Sequence, residues 1–281
     1  MHKVTIILII LGVQFLLASC ARSLNETTNP ELVVDSSDWP QPKVKRLQLE
    51  NPTHILFVGN SYLYYGDSVH NHVRRIAIAA GIHDSAEMSY KSATIGGAAI
   101  FDHNIDHLLN PENLRVDKPF EVVILQGGSA APLSEKRRER FMQTTKDFAA
   151  KIKLAGGETV LYMTHSYVEP HARYRPGMIK DIASLYVAAG NQIDALVIPV
   201  GLAFEDAYRL RPNLQLHKSF DGSHPALAGT YLASATVFAS IYGISPVGNS
   251  YDYYGAIDPQ TMLFLQKIAH NTVAKFYGRN L

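Results

Sequence analysis

His54-Ile55-Leu56-Phe57-Val58-Gly59-Asn60-Ser61 is the stretch that decides how this chain folds. The apolar run from Ile55 to Val58 predicts a short buried strand. The polar turn after it puts Ser61 three residues beyond the strand. Ligands of open parallel sheets gather at the carboxyl ends of the strands, so Ser61 is expected on a functional edge. The alternative is a plain polar turn, or a cap for a helix that begins near Tyr62.

Strands and helices alternate along the rest of the chain. The predicted strands are 55–58, 88–92, 121–125, 159–163 and 196–200. The predicted helices are 68–80, 135–154 (capped by Ser134), 178–190, 225–243 and 259–277. Strands separated by helices of this length need crossover connections and form mostly parallel sheets. We therefore expect one α/β domain, a three-layer α/β/α sandwich with a mostly parallel sheet.

The bulk composition is that of an ordinary globular protein. The 281 residues are 47% hydrophobic and 18% charged, with 26 basic and 25 acidic side chains. Nearly balanced charge, with no patch of interleaved aromatic and basic residues, argues against a nucleic-acid partner.

A second motif, Asp221-Gly222-Ser223-His224-Pro225, precedes a predicted helix rich in small residues. At a turn, a spacing of three can bring the Asp221 carboxylate to Nδ1 of His224. The carboxylate then fixes the imidazole tautomer, and Nε2 is left free to take a proton from a hydroxyl. The alternative is an aspartate cap beside a surface histidine.

Together the two motifs resemble those of the SGNH (GDSL-like) hydrolases. In that family the nucleophile follows the first strand in a Gly-Asp-Ser or Gly-Asn-Ser turn, and the acid and base lie near the C-terminus as Asp-x-x-His, usually before Pro. The resemblance covers residues 55–243 and implies a flavodoxin-like α/β/α fold. It implies Ser61 as nucleophile, His224 as base and Asp221 as its orienting acid, with no metal or organic cofactor.

The resemblance also implies a glycine after the second strand whose backbone N–H helps to hold the oxyanion. Gly97 is the choice here, with Gly96 as the alternative and a plain tight turn as the competing explanation. Glycine suits this role because the substrate carbonyl must come close to the backbone. The backbone N–H of Ser61 is expected to be another donor.

The third strand departs from the family pattern. A Gly-x-Asn-Asp motif is expected there, but the chain reads Gln126-Gly127-Gly128-Ser129-Ala130, with Ala130 in place of Asn. A branch of the superfamily resembles this chain in having Gln-x-x-Ser at the strand end. Gln126 is therefore the expected side-chain donor to the oxyanion, with Ser129 as the second candidate.

The expected activity is that of an exported serine esterase acting on a small-molecule or glycan ester. An acetylated carbohydrate fits, while lipid esters and thioesters stay open. One competing hypothesis is a catalytically silent lipoprotein that binds glycans with the same fold, which the missing Asn would favour. Another assigns His103, Asp106 and His107 to a metal, although a solvated helix face explains the spacing of the histidines better, because no third ligand is evident.

Several other side chains have two interpretations. His103 and His165 are candidates for lining the pocket. Tyr62, Tyr64 and Tyr65 could form an aromatic wall for a sugar or acyl group, or belong to the core. The basic cluster 136–140 is most simply a solvated helix face.

The N-terminus predicts export. Lys3 precedes an apolar run over 4–18, and Leu17-Ala18-Ser19-Cys20 resembles a bacterial lipobox. The expected organisation is a signal peptide at 1–20, a polar tether at 21–47 on which Trp39 could dock to the domain, and a hydrolase domain at 48–281. Lipidated Cys20 would hold the protein on a membrane of the bacterial cell envelope. An ordinary signal cut near Ala21, or an uncleaved anchor, is the alternative.

Overall fold

Five parallel strands form one sheet at the centre of the fold. The structure, a computed structural model, describes residues 39–281. The strands are β1 (His54–Gly59), β2 (Ser89–Thr94), β3 (Val122–Gln126), β4 (Glu158–Tyr162) and β5 (Leu196–Ile198). Their order is β2-β1-β3-β4-β5, and each neighbouring pair is parallel. This confirms the predicted parallel sheet.

The apolar run that predicted β1 is completely buried. Ile55 to Val58 have no exposed surface, because β1 pairs with β2 on one side and β3 on the other. An internal parallel strand is covered on both faces, which suits a continuous apolar run rather than an alternating one. The register places Phe57 opposite Ile124, so β1 and β3 end at the same edge.

Helices cover the sheet on both faces. They are α1 (Ser61–Tyr64), α2 (Val69–Ala79), α3 (Ile105–Leu109), α4 (Glu135–Leu154), α5 (Met178–Gln192), α6 (Val200–Leu210), α7 (Leu227–Tyr242) and α8 (Pro259–Tyr277). Short 3-10 turns occupy Tyr65–Asp67, Ile100–Asp102, Pro111–Leu114 and Ala131–Leu133. Helix α7 packs on α2, α6 and α8, whereas α4 packs on α3, α5 and β4. The arrangement confirms the predicted three-layer sandwich. Within residues 39–281, none of these helices has both the length and the apolar character needed to cross a membrane.

Helix α6 is the main element that the sequence did not predict. The predicted strand 196–200 ends at Ile198, and α6 begins at Val200. Pro199 has no N–H to donate to a sheet ladder, so it ends the strand. Gly201 weakens the helical signal, yet it is needed because a Cβ there would lie 2.3 Å from the Thr164 carbonyl oxygen.

The last nine residues of the predicted tether pack on the hydrolase domain. Residues 39–47 lie against the domain: Lys43 N–H donates to Asn191 Oδ1 at 2.7 Å, and Asn191 Nδ2 donates to the Gln41 carbonyl at 3.2 Å. Leu47 is buried, and Trp39 lines a small surface cavity. An extended segment of this kind has no periodicity, so only Trp39 pointed to its docking in the sequence. Residues 1–38, with the predicted signal and Cys20, lie outside the described residues.

Candidate active site

The turn after β1 presents Ser61 from the first turn of a short helix. Asn60 caps α1, because its Oδ1 accepts a hydrogen bond from Tyr62 N–H at 3.1 Å. Its Nδ2 donates to the Ala98 carbonyl at 2.8 Å, which ties the turn to the loop after β2. Asn60 therefore does the capping, and the Ser61 hydroxyl is left for another partner. Ser61 is 6% exposed.

The space around Gly59 is too small for any side chain. A Cβ at this position would lie 2.5 Å from Gln126 Oε1 and 2.8 Å from Leu63 Cδ1. Its backbone is part of β1 and does not have a positive φ. Close packing around the end of β1 thus explains the glycine.

Ser61, His224 and Asp221 form one chain of hydrogen bonds. Ser61 Oγ and His224 Nε2 are 2.8 Å apart, and His224 Nδ1 bonds to Asp221 Oδ2. A carboxylate can only accept, so Nδ1 carries the proton and Nε2 is the acceptor for the serine hydroxyl. Ser61 precedes the other two residues by 160 or more positions, whereas Asp221 and His224 lie on opposite sides of a tight turn. The structure thus brings all three together.

The carboxylate of Asp221 is itself held by the backbone. Its Oδ1 accepts from Ser223 N–H at 2.9 Å and from His224 N–H at 3.1 Å. Burial raises the pKa of Asp221, but the hydrogen bonds from His224 and from these two amides outweigh it, and the pKa is lowered overall. Gly222 permits this turn with φ +61°, and a Cβ there would lie 2.1 Å from the Val168 carbonyl oxygen.

Three tyrosines follow the nucleophile, and each has a different environment. The ring of Tyr65 stacks on the imidazole of His224, with centroids 4.2 Å apart and planes 20° apart. Tyr62 is buried, and its hydroxyl bonds to Ser223 Oγ at 2.8 Å. Tyr64 is exposed. Tyr62 therefore belongs to the core, and Tyr65 covers one face of the histidine.

The two predicted backbone donors lie beside the nucleophile turn. Gly97 has φ +72°, and a Cβ there would meet nothing within 4 Å, so this position faces open space. The next residue, Ala98, accepts the Asn60 bond described above. A Cβ on Gly96 would instead lie 3.3 Å from the Tyr64 hydroxyl. Ser61 N–H lies in the first turn of α1, where backbone N–H groups have no acceptor within the helix.

Gln126 has a different place from the one that the sequence predicted. Its side chain is 0% exposed, Oε1 accepts from Asn60 N–H at 2.9 Å, and Nε2 bonds to the Gly127 carbonyl. Both ends of the amide are thus bonded to backbone inside the protein. The geometry makes Gln126 a buried anchor of the nucleophile turn and argues against its use as an oxyanion donor.

A cleft of about 620 Å³ lies beside the hydrogen-bonded residues of the site. Gly97, Ser129 and Ala130 line it, together with the first turns of α4. Ser61 and His224 do not line it, so it lies next to these residues without containing them. Ser129, the second candidate donor, accepts a hydrogen bond from the Tyr167 hydroxyl at 2.9 Å and faces this cleft.

The residues of the metal hypothesis have separate partners. His103 Nε2 donates to the Gly59 carbonyl at 2.9 Å, whereas Asp106 pairs with Lys151 at 2.5 Å. His107 lies on an exposed turn of α3. In the part of the chain that the structure describes, no group of three or more His, Cys, Asp or Glu side chains is arranged to hold a metal ion.

His165 does not line a pocket, contrary to one expectation. Its ring is buried between Tyr62 and Phe204, with centroids 4.2 Å and 4.4 Å away. Burial lowers the pKa of His165 well below its usual value, so it is neutral at physiological pH.

The sequence pointed to the proposed reacting groups of the site, but it did not point to the residues that hold them in place. The roles of His103 and Gln126 as anchors of the β1 end, and of Tyr65 as a cover for His224, were not predicted. The available signal was the presence of polar side chains next to buried strand ends, where buried polar atoms must find backbone partners.

No model of a known protein family matches this chain, and no curated protein matches it. Solved structures do. A DUF4886 family protein from Bacteroides uniformis ATCC 8492 is 17% identical with a TM-score of 0.62, covering 78% of this chain and 93% of its own. A candidate SGNH hydrolase from Slackia heliotrinireducens is 19% identical with a TM-score of 0.51, covering 67% and 98%. The acetyl xylan esterase AlAXEase is 18% identical with a TM-score of 0.51, covering 66% and 98%.

These three solved structures are similar to the chain over 66–78% of its length. The chain therefore has the α/β/α fold of the SGNH (GDSL-like) hydrolases.

Proposed function

We propose that this protein is a serine esterase that cleaves its substrate through an acyl-enzyme on Ser61. The observation that carries the proposal is the hydrogen-bonded chain Ser61 Oγ, His224 and Asp221, with 2.8 Å between Ser61 Oγ and His224 Nε2. That distance lies within the reach expected of a nucleophile and its general base.

Each residue has a defined part in the proposed reaction. Ser61 Oγ attacks the ester carbonyl carbon while its proton passes to His224 Nε2. The resulting imidazolium is stabilised by Asp221, whose carboxylate stays ionised because its pKa is lowered. His224 then gives this proton to the leaving alcohol as the C–O bond breaks. In the second half, water attacks the acyl-enzyme with His224 again as the base.

The oxyanion would be held mainly by backbone N–H groups. The amide of Ser61 and that of Gly97 are the proposed donors, with the Ser129 hydroxyl as the side chain that stands in for the missing Asn. Removal of one such donor typically lowers kcat by about 10²–10³-fold. No step of the proposed reaction needs a metal or an organic cofactor.

The proposed substrate is an acetyl ester on a carbohydrate. One neighbour with the same fold is an acetyl xylan esterase, which supports this choice. Lipid esters and acyl thioesters are alternatives that use the same chemistry. A screen of the full-length protein against acetylated sugars, lipid esters and thioesters would rank the three classes.

Turnover of p-nitrophenyl acetate tests the proposal. Ser61→Ala should lower kcat/KM by about 10⁴-fold or more, because it removes the nucleophile. Ser85→Ala is the matched control, since Ser85 is an exposed serine away from the site. Equal, slow hydrolysis by wild type and Ser61→Ala would instead support a glycan-binding protein without turnover.

The lipid anchor is a separate proposal that rests on sequence. We propose that Cys20 is lipidated and holds the protein on a membrane of the bacterial cell envelope. Mass measurement of the protein extracted from membranes should give a mass increased by the lipid, and Cys20→Ser should lose both the added mass and the membrane fraction. An unlipidated wild-type chain would contradict this proposal.

A further inference from the structure

Basic side chains line the cleft beside the nucleophile turn. Lys136, Arg137 and Arg140 project from the first turns of α4, and Arg173 joins them from the loop after β4. The simplest interpretation of the 136–140 cluster from the sequence was a solvated helix face. The side chains are exposed, but three of them share one concave wall.

These cations are not neutralised by the protein. No Asp or Glu lines the cleft, and none of the four side chains forms an ion pair with an acidic residue of the described chain. Three acids adjoin lining residues in sequence, Asp102, Glu135 and Glu139, but none of them lines the cleft. Asp102 Oδ2 accepts from Ala99 N–H at 2.9 Å. Four positive charges thus face one opening in a protein whose formal net charge is only +1.

Arg140 is held in place. Its guanidinium carbon lies 3.2 Å from the ring centroid of Phe101, which also lines the cleft. A stacked guanidinium loses less freedom when it binds, and its N–H fork suits a carboxylate or a sulfate. Arg140 is therefore preorganised to receive an anion.

The cleft is connected to the reacting groups through the loops after β2 and β3. Gly97 and Ser129 line it and are the proposed oxyanion donors. Ala98 accepts from Asn60 Nδ2, the residue before Ser61. A substrate whose ester is held at Ser61 can thus place another of its groups among the cations.

We propose that this cleft binds an anionic group of the substrate, and that the substrate is an ester of an acidic saccharide. The inference rests on the proposed esterase function and narrows its substrate class. Concave surfaces with charge of one sign raise the local concentration of an oppositely charged substrate, by about 10-fold or more at low salt. The anion is a carboxylate or a sulfate on the sugar units next to the ester.

The experiment compares acetylated oligosaccharides that differ in charge. kcat/KM would be measured with the full-length protein on O-acetylated oligogalacturonate, on an O-acetylated sulfated oligosaccharide and on neutral O-acetylated xylo-oligosaccharide. The anionic substrates should be preferred by about tenfold or more at low salt, with the preference falling at high salt because the charges are screened. A preference for only one anionic substrate identifies that group.

Variants locate the effect in the cleft. Arg137→Gln combined with Arg140→Gln should lower the ratio of kcat/KM on anionic to neutral substrates by about tenfold or more. Lys146→Gln is the matched control, since Lys146 is an exposed cation of α4 that does not line the cleft, and it should leave the ratio unchanged. Arg173→Gln tests the opposite wall without altering α4.

Failure of this inference differs from failure of the esterase proposal. If wild type hydrolyses neutral and anionic substrates alike and the double variant keeps that ratio, the cleft is not an anion site although the enzyme stands. If no ester is cleaved in a Ser61-dependent way, calorimetry still decides. Ser61→Ala protein should then bind oligogalacturonate more tightly than xylo-oligosaccharide, and equal binding would overturn the inference.

Discussion

Gln126, His103 and Asn60 show how single buried polar atoms fix the position of the nucleophile. Gln126 accepts from Asn60 N–H, and His103 donates to the Gly59 carbonyl. Asn60 in turn bonds to the loop that carries Gly97. These bonds hold Ser61 before any substrate arrives, and such preorganisation is what makes electrostatic catalysis effective.

Gln126→Leu tests the anchoring role. The change removes a fully buried acceptor and leaves Asn60 N–H and the Gly127 carbonyl without partners, so the free energy of unfolding should fall by about 2–4 kcal/mol. Urea denaturation measures this. An oxyanion donor would behave differently, since its loss would lower kcat by about 10²–10³-fold while stability stayed unchanged.

Tyr65 is expected to position the imidazole of His224 through its stacked ring. Tyr65→Leu should lower kcat by about two- to tenfold, because a stacked aromatic pair contributes about 0.5–1.5 kcal/mol. Tyr65→Phe keeps the ring and should stay near wild type in p-nitrophenyl acetate turnover. Equal losses in both variants would point to the hydroxyl rather than to the stacked face.

At the scale of elements, β1 delivers the nucleophile and the turn before α7 delivers the base. The two are joined directly: Thr230 Oγ1 in α7 donates to the Tyr65 carbonyl at 3.1 Å, and Tyr65 covers His224. Helix α7 can come this close because a Cβ on Gly66, the residue after Tyr65, would lie 2.6 Å from Thr230 Oγ1. On its other side, a Cβ on Gly229 would lie 2.2 Å from the Leu216 carbonyl oxygen.

Thr230→Val tests this link between elements. The substitution keeps the shape but leaves the Tyr65 carbonyl without its side-chain donor, so both stability and kcat should fall, stability by about 1–2 kcal/mol. Thr236→Val is the matched control. Thr236 donates within α7 to the Leu232 carbonyl at 2.8 Å and does not touch the site, so it should change stability without changing kcat. Identical kcat in the two variants would refute the link.

The elements that the sequence predicted well were those with strong local signals. Helix α8 matches its predicted bounds, and β1 extends its apolar run by one residue at each end. Helix α6 was not predicted, because Pro199 and Gly201 at its start weaken the helical signal. The role of Gln126 could not be predicted, because it depends on a contact with Asn60, 66 positions away.

At the scale of the whole molecule, charge and burial are distributed unevenly. Cations concentrate at the cleft, while several histidines are buried without charge in the interior. His217 is 4% exposed, with Nε2 donating to the Ser166 carbonyl at 3.0 Å and the Tyr208 hydroxyl bonded to Nδ1 at 2.7 Å. A second proton on this ring would reverse the bond with Tyr208, so that Nδ1 donates to the hydroxyl, and it would place a positive charge on a side chain buried away from solvent.

Acid should therefore destabilise the fold through His217. Burial lowers its pKa from 6.5 to about 4, so between these values the unfolded chain binds a proton that the folded chain does not. The contribution of His217 to the free energy of unfolding is thus fully present above pH 6.5 and is lost as the pH falls towards 4. This loss is at most about 3 kcal/mol. Urea denaturation at pH 7, 6, 5 and 4 measures the slope. The His217→Gln variant should be less stable at pH 7, but its free energy of unfolding should fall less steeply with acid because the amide does not titrate. Parallel slopes of stability against pH in the two proteins would mean that His217 is already charged when folded.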